Sequence, residues 1–504
     1  MRALTRLHTL DALDATVPYD VCIVGSGFAG TVLASELASA GVRTLMLESG
    51  GSLQRWFLDP RIKALAAYTV SGDADYPTLH TKARALGGNS NFWTGRCERY
   101  HPSDFERHAY TPGDNPWPVA YGDMEPLYER AERTLRVRGG EPSSHAAPRR
   151  HAFPRRTRKD LSGLRALLGH AGVDVDDSPT ATPEHALRFF RLHKELLPGV
   201  LASPYVTLVS GLTATRLVRD GEDRVSSVEV RSLDGTTRQA RARIFVVACG
   251  GIETPRLLLL SADERAAAGI GNAHGRVGRG FNEHPGVNFY AKLRHSRETL
   301  HLRHNLGRSH QFYDELRPEG LGSVLPVFIQ SWAFPNHLIQ PKLSDLPGTL
   351  AAFASRITRP SLYIGATIEM LPRDTNRVTL SQDHRDRFGN PIAHLSLDFA
   401  DEDRRTLERT RKLIQGVFER LGADDLEEGE LTWSRHHIGT CRMGADPKTS
   451  VADPTLRVHD THNLYLSGSE TFVTGAAVPP VLTIVALAHR LGDELVRRLQ
   501  EEAS

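Results

Sequence analysis

Cysteine is scarce: Cys22, Cys97, Cys249 and Cys441 are the only ones in 504 residues, far apart and never in a CxxC pair. That spacing gives no cysteine zinc site and no dense disulfide framework, and it suits a reducing compartment. Long apolar runs are missing too. The amino-terminal MRALTRLHTLDALDATVPYD carries arginines but no apolar stretch of signal-peptide length, and no later segment reaches membrane-spanning length. A cytoplasmic location with no membrane partner is expected. Charge of one sign is lacking as well: 62 Lys+Arg against 60 Asp+Glu leaves a formal net charge of +2, which gives no reason to expect nucleic acid or anionic lipid as a partner. No repeat or low-complexity tract occurs. What remains, 40% hydrophobic and 24% charged, is the composition of a large globular chain with more than one domain.

The first strong pattern is YDVCIVGSGFAGTVLASELASAGVRTLMLESGG. Val21 to Val24 read as a buried parallel strand, Gly25, Gly27 and Gly30 supply GxGxxG, and an alanine-rich helix follows. Glycines at those positions let the backbone approach a pyrophosphate, and the helix N-terminus offers unpaired N–H groups and the positive end of its dipole. A second apolar run, Thr44 to Leu47, ends in Glu48, where a carboxylate would accept hydrogen bonds from a ribose. A lone GxGxxG is weak evidence; with strand, helix and Glu48 around it, the segment reads as a dinucleotide site.

Two further stretches support this reading. RALGGNSNFWTGRCERYHPSDFE places Gly87 and Gly88 in a tight turn followed by small and polar residues that can run flush against a flat ligand. ARIFVVACGGIETPRLLLLS gives a buried strand from Ile244 to Ala248, a turn at Gly250 and Gly251, and Pro255 opening an apolar helix.

In order and spacing these blocks, with the closing HHIGTCRMG and NLYLSGSETFVTGAAVPPVLTIVALAHRLGDEL, resemble the glucose-methanol-choline (GMC) family of FAD-dependent oxidoreductases from about Tyr19 to Leu495. VGRGFNEHPG and RDTNRVTLSQDHRDRFGNP resemble two more of its blocks. The resemblance implies an α/β fold: a Rossmann-like FAD-binding domain, residues 1–100, 204–286 and 431–504, interleaved with an α+β substrate domain on an antiparallel sheet, residues 101–203 and 287–430. The flavin loop is most similar to the pyranose oxidase branch, in which a histidine before the tryptophan tethers the flavin. Here Phe92 precedes Trp93 and Thr94, and phenylalanine cannot form that bond, so non-covalent FAD is expected. Thr94 and Asn91 would lie near the reactive face of the flavin, Asn91 alternatively capping its own turn. Ala214 corresponds to an adenine contact, and Gly250, Gly468, Pro480 and Thr483 complete the implied cofactor set.

Oxidising an alcohol by hydride transfer requires removal of its hydroxyl proton, and imidazole is the natural base near neutral pH. In the family the catalytic histidine opens HxxGT, which here selects His436 and leaves His437 a structural role. Relatives place an asparagine or histidine near the start of the last helix, beside that base; the corresponding residue is Pro479, which has no donor. Either another residue from the substrate domain substitutes, or His436 works alone at reduced rate, or the site serves other chemistry. His489 lies too far along the helix to replace it and is expected to be structural or on the surface.

VNFYAKLRH, GSVLPVFIQSWAF and SLYIGATIEML alternate as strands of an antiparallel roof over the flavin do, with Gln330, Trp332, Phe334 and PNHLIQPKL as candidates for the substrate wall. GDMEPLYERAERTLRV is an amphipathic helix, and the basic PRRHAFPRRTRK reads as a solvated loop. The expected activity is FAD-dependent oxidation of a hydroxyl on a polar small molecule, a sugar or glycoside by the flavin-loop resemblance, with no metal, an unassigned electron acceptor and an unassigned oligomeric state. A non-redox lyase or cyclase on the same scaffold and a non-catalytic FAD-binding protein are the alternatives.

Overall fold

The computed structural model describes residues 13, 19–79, 81–111, 116–140, 143–151, 153, 161–183, 190–221, 223–293, 306–331 and 361–504. Trp332, Phe334, the PNHLIQPKL loop and much of the basic run lie outside them.

The glycine turn joins strand β1 (Tyr19–Val24) to helix α1 (Phe28–Ser39), which leads into β2 (Thr44–Glu48). β2 pairs in parallel with β3 (Val206–Ser210), and β1 with β6 (Thr237–Val247). The short strand Leu464–Leu466 adds to the far side of β6, also in parallel. The early part of β6 runs antiparallel to β5 (Val225–Ser232), which pairs with β4 (Leu212–Arg219). The parallel strands are near-continuous apolar runs because both faces are covered. Successive side chains of β1 point to opposite faces: Val21 and Ile23 enter one core, Cys22 and Val24 another.

The first core is closed by helices. α1 packs against α5 (Val481–Ala503), which also rests on α2 (Tyr121–Thr134). Leu33, Leu37, Val485, Leu491 and Leu495 are fully buried there, each contributing about 2 kcal/mol by removal from water. His489, expected to be structural or on the surface, is buried and ties the three helices: Nδ1 lies 2.8 Å from Glu36 Oε1 and Nε2 3.0 Å from Thr134 Oγ1. The second core is closed by the β4–β5 ribbon and by α3 (Gly250–Leu260), whose Leu257 and Leu258 enter it.

A second sheet is antiparallel through its centre: β7 (Pro285–Lys292) pairs with β10 (Ser361–Ile368), β10 with β9 (Val324–Ser331), and β9 with β8 (Leu306–Arg308). On its other edge β7 receives β11 (Asp424–Glu428) and β12 (Thr432–Trp433). Leu407, Ile414, Val417 and Phe418 of α4 (Asp401–Arg420) fill one face with Val287, Phe289 and Ile364. The three alternating stretches thus become β7, β9 and β10. β12 leads straight into Ser434 to His437, so the roof sheet delivers the histidine pair to the parallel sheet. Among the described residues no helix is long and apolar enough to cross a membrane.

Candidate active site

β1 ends at Val24, β2 at Glu48, β6 at Val247 and the last parallel strand at Leu466. The residues at or just past these carboxyl ends line a cavity of about 410 Å3, the place where open parallel sheets bind ligands. The backbone shape of the turn follows from its glycines. Gly25 has φ of 110°, which an L side chain rarely adopts, and Gly30 packs beneath its carbonyl so closely that a Cβ would overlap the oxygen. Gly27, by contrast, caps α1 with no side-chain bond, and a Cβ there would meet no atom within 4 Å. The N-terminal turn of α1 therefore opens onto the cavity with its N–H groups uncommitted to a cap.

Glu48 lies in the same wall. Its Oε2 accepts from the Ser26 hydroxyl (2.6 Å) and amide (3.2 Å), its Oε1 from the Gly50 amide (2.8 Å), which leaves lone pairs for a ligand's hydroxyls. The Gly87 amide donates to Ser26 Oγ at 3.0 Å, coupling the flavin loop to the turn. Gly88, Phe92, Trp93, Ala214, Gly250 and Gly468 line the cavity with them, and Pro480 does so from the start of α5. Ser90 and Ser467 line it too, and their hydroxyls are buried without a hydrogen-bond partner. Orphaned donors, an uncapped helix and glycine backbone bordering open space together fit a dinucleotide.

Five residues of the expected cofactor set do not line this space. Gly30 and Gly87 shape the turns behind it. Asn91 is turned inward, its Nδ2 donating to the carbonyls of Leu86 (3.0 Å) and Gly88 (2.8 Å), the capping alternative. Thr483 is buried against Tyr128, Oγ1 to OH 2.9 Å. Thr94, expected beside the flavin, is likewise outside the lining and exposed, because Trp93 is pinned by its Nε1 bond to the Phe190 carbonyl (2.9 Å) and by its edge against Phe28, and the chain leaves the cavity after it.

The two adjacent histidines meet different neighbours. His436 is half-buried and borders the cavity. His437 also borders it, but its Nε2 reaches Tyr76 OH at 3.0 Å. Gly251 fits beneath this segment because a Cβ would lie 2.5 Å from the His437 carbonyl oxygen. Two neighbours of His436 were invisible in the sequence. His284 places Nδ1 2.8 Å from His436 Nδ1, and the buried Glu283 carboxyl accepts the His436 amide. Both belong to VGRGFNEHPG, where a glutamate and a histidine stand immediately before the proline that opens β7; two adjacent titratable groups entering a buried strand were the available signal.

Burial governs the ionisation of this cluster. It pushes His436 well below the ordinary imidazole value, with His284 and His437 adding to the shift; it pushes His284 down to about 4 and His437 to about 3. All three rings are therefore neutral near pH 7. Burial raises the Glu283 carboxyl to about 8, despite amide donors that oppose the shift. On the other wall Glu253 gathers Lys82, Arg84 (2.8 Å) and Arg256 (3.2 Å), and burial brings Lys82 down to about 8. Pro479 does not line the cavity; the apolar Pro480, Val481 and Ile484 do. No cluster of metal-binding groups occurs among the described residues.

Family models described as GMC oxidoreductase match residues 187–286 and 372–488, and one described as FAD binding domain matches residues 18–56. Paromamine 6'-oxidase of Streptomyces fradiae is 29% identical over 95% of this chain and 92% of its own length. The fructose dehydrogenase large subunit of Gluconobacter japonicus is 24% identical over 96% of this chain and 99% of its own. Among solved structures, pyridoxine 4-oxidase from Mesorbium loti superposes with a TM-score of 0.64 at 19% identity, covering 94% of this chain and 99% of that one.

Proposed function

Starting from the membership of this chain in the GMC family, whose enzymes are FAD-dependent oxidoreductases acting on alcohol groups, we propose that it oxidises a hydroxyl of a polar small molecule, a sugar or glycoside, with His436 as the base. The observation that carries the reading is the shared cavity: His436, the glycine turn and Glu48 line one space. Fructose dehydrogenase and paromamine 6'-oxidase are named for sugar-like substrates, and the flavin loop supports the same class.

FAD bound in the cavity supplies a hydride acceptor at N5. Glu48 would hold the adenosine ribose, the N-terminal turn of α1 the pyrophosphate, and Gly88, Trp93, Gly250, Gly468 and Pro480 the flavin, with Ala214 against adenine. His436, neutral because it is buried, takes the substrate hydroxyl proton. Pro480, Val481 and Ile484 exclude water from one side of the reacting atoms. In this reading the first parallel sheet with residues 1–100, 204–286 and 431–504 is the cofactor half, and the roof sheet bears the substrate wall. Phe92 leaves the cofactor non-covalent.

Anaerobic mixing of the FAD-loaded protein with a panel of sugars, glycosides and simple alcohols tests the reading. Bleaching of the flavin by a sugar or glycoside supports it. Conversion of a substrate without bleaching assigns non-redox chemistry instead, and bleaching by simple alcohols alone removes the substrate class.

A further inference from the structure

We infer that His284 is a positioning residue that fixes the tautomer of His436, so that the Nε2 of His436 faces the cavity without a proton. The inference rests on the reading of His436 as the base.

A carbonyl oxygen can only accept a hydrogen bond. His284 Nε2 lies 3.2 Å from the Gly475 oxygen, so this nitrogen carries the proton. A neutral His284 then has a bare Nδ1. That atom is 2.8 Å from His436 Nδ1, and a hydrogen bond between them needs one proton, which must come from His436. With its proton on Nδ1, neutral His436 has a lone pair on Nε2, for which the described residues supply no hydrogen bond. A histidine side chain in water favours the opposite tautomer, with the proton on Nε2; the partner of one ring nitrogen sets the state of the other. Burial keeps His284 neutral and removes the alternative in which it donates from both nitrogens.

Further bonds hold that carbonyl in place. The Gly475 oxygen also accepts from Tyr100 OH at 2.5 Å, and the next amide, Ala476, donates to Glu369 Oε1 at 3.1 Å. A peptide group bonded at both ends is a stronger acceptor. Gly475 has room for no Cβ, which would stand 2.6 Å from Asn282 Oδ1 and 3.3 Å from His284 Nε2. When His436 takes a proton at Nε2, its Nδ1–H remains bonded to His284; moving that proton across to His284 Nδ1 returns His436 to neutrality and leaves the charge on His284, beside the Gly475 carbonyl. The loop that leads into Pro479 thus acts on His436 through its backbone, from the side opposite the substrate.

Nitrogen-15 NMR of histidine-labelled holoenzyme, with the signals assigned by loss in His436→Gln, reads the tautomer directly. The expected result is a protonated Nδ1 and an unprotonated Nε2 on His436 at neutral pH; a proton on Nε2 overturns the inference. In parallel, His284→Phe keeps the ring volume but removes the acceptor, whereas His284→Asn keeps an acceptor at the δ position. The Phe variant is expected to slow flavin reduction at least about tenfold with KM little changed, and the Asn variant to recover most of the rate; equal loss in both, or none in the Phe variant, also overturns it. A failure of His436 as base would show instead as wild-type flavin reduction in His436→Ala, with the wild-type tautomer spectrum unaffected.

Discussion

Gly30 lies directly beneath the carbonyl of Gly25, with no room between them for a methyl group, while Gly27 of the same motif faces open space. The glycines of one GxGxxG therefore answer to different constraints. Gly30→Ala is expected to cost the apoprotein about 3 kcal/mol by overpacking. Gly27→Ala should leave apoprotein stability nearly unchanged and raise the FAD dissociation constant at least about tenfold, a loss of about 1.4 kcal/mol. Thermal denaturation of apoprotein and fluorescence titration with FAD separate the two effects; equal effects of both variants on both measurements would refute the distinction.

His436→Ala is expected to slow substrate-driven flavin reduction by about 10²–10⁴-fold, the usual range for loss of a general base, with FAD still bound. Stopped-flow absorbance under anaerobic conditions measures it. A variant that reduces its flavin at the wild-type rate removes His436 from the chemistry.

Much of this site was legible in the sequence because its pieces are local. A strand, a glycine turn, a helix and a terminal acid follow one another within one βαβ unit, and HxxGT carries its histidine in a fixed frame. The alternating stretches of the roof sheet were legible for the same reason. His284 and Glu283 were not, since their meeting with His436 is made by β7 and β12 pairing across the roof sheet, and no local pattern encodes that register. Thr94 failed for a tertiary reason too: the bond from Trp93 to Phe190 turns the chain away. His489 could be placed on the last helix from its period, yet its partners on α1 and α2 come from distant segments.

Gly475→Ala should push the added methyl into Asn282 and His284. The expected outcome is a loss of about 1–3 kcal/mol of stability, together with slower flavin reduction at unchanged FAD content. Chemical denaturation and single-turnover kinetics check the two parts, and a variant with wild-type values of both would contradict the packing.

Glu283 gives a pH dependence whose sign is fixed. Its carboxyl is raised from 4.5 in the unfolded chain to about 8 in the fold, so the folded protein binds a proton that the unfolded chain has released. The stability contributed by this group is full below pH 4.5 and is lost as pH rises toward 8. Glu283→Gln cannot ionise, and its stability should fall less over that window. Urea denaturation at a series of pH values tests this, with an unaltered slope as the contrary result.

Phe92 at the cavity predicts that acid precipitation of the purified protein releases its FAD entirely into the supernatant. Yellow colour retained in the washed pellet would show a covalent link through another residue.

The strand Leu464–Leu466 completes the parallel sheet beside β6, and Ser467 and Gly468 just past it line the cavity whose first wall is the turn after β1. The two walls come from nearly opposite ends of the polypeptide. During synthesis the early glycine turn must therefore wait for almost the whole chain before the cavity can close, and pairing at such long sequence separation is slow. Cofactor capture becomes a late event in biogenesis, because the wall that Ser467 and Gly468 supply is not in place earlier.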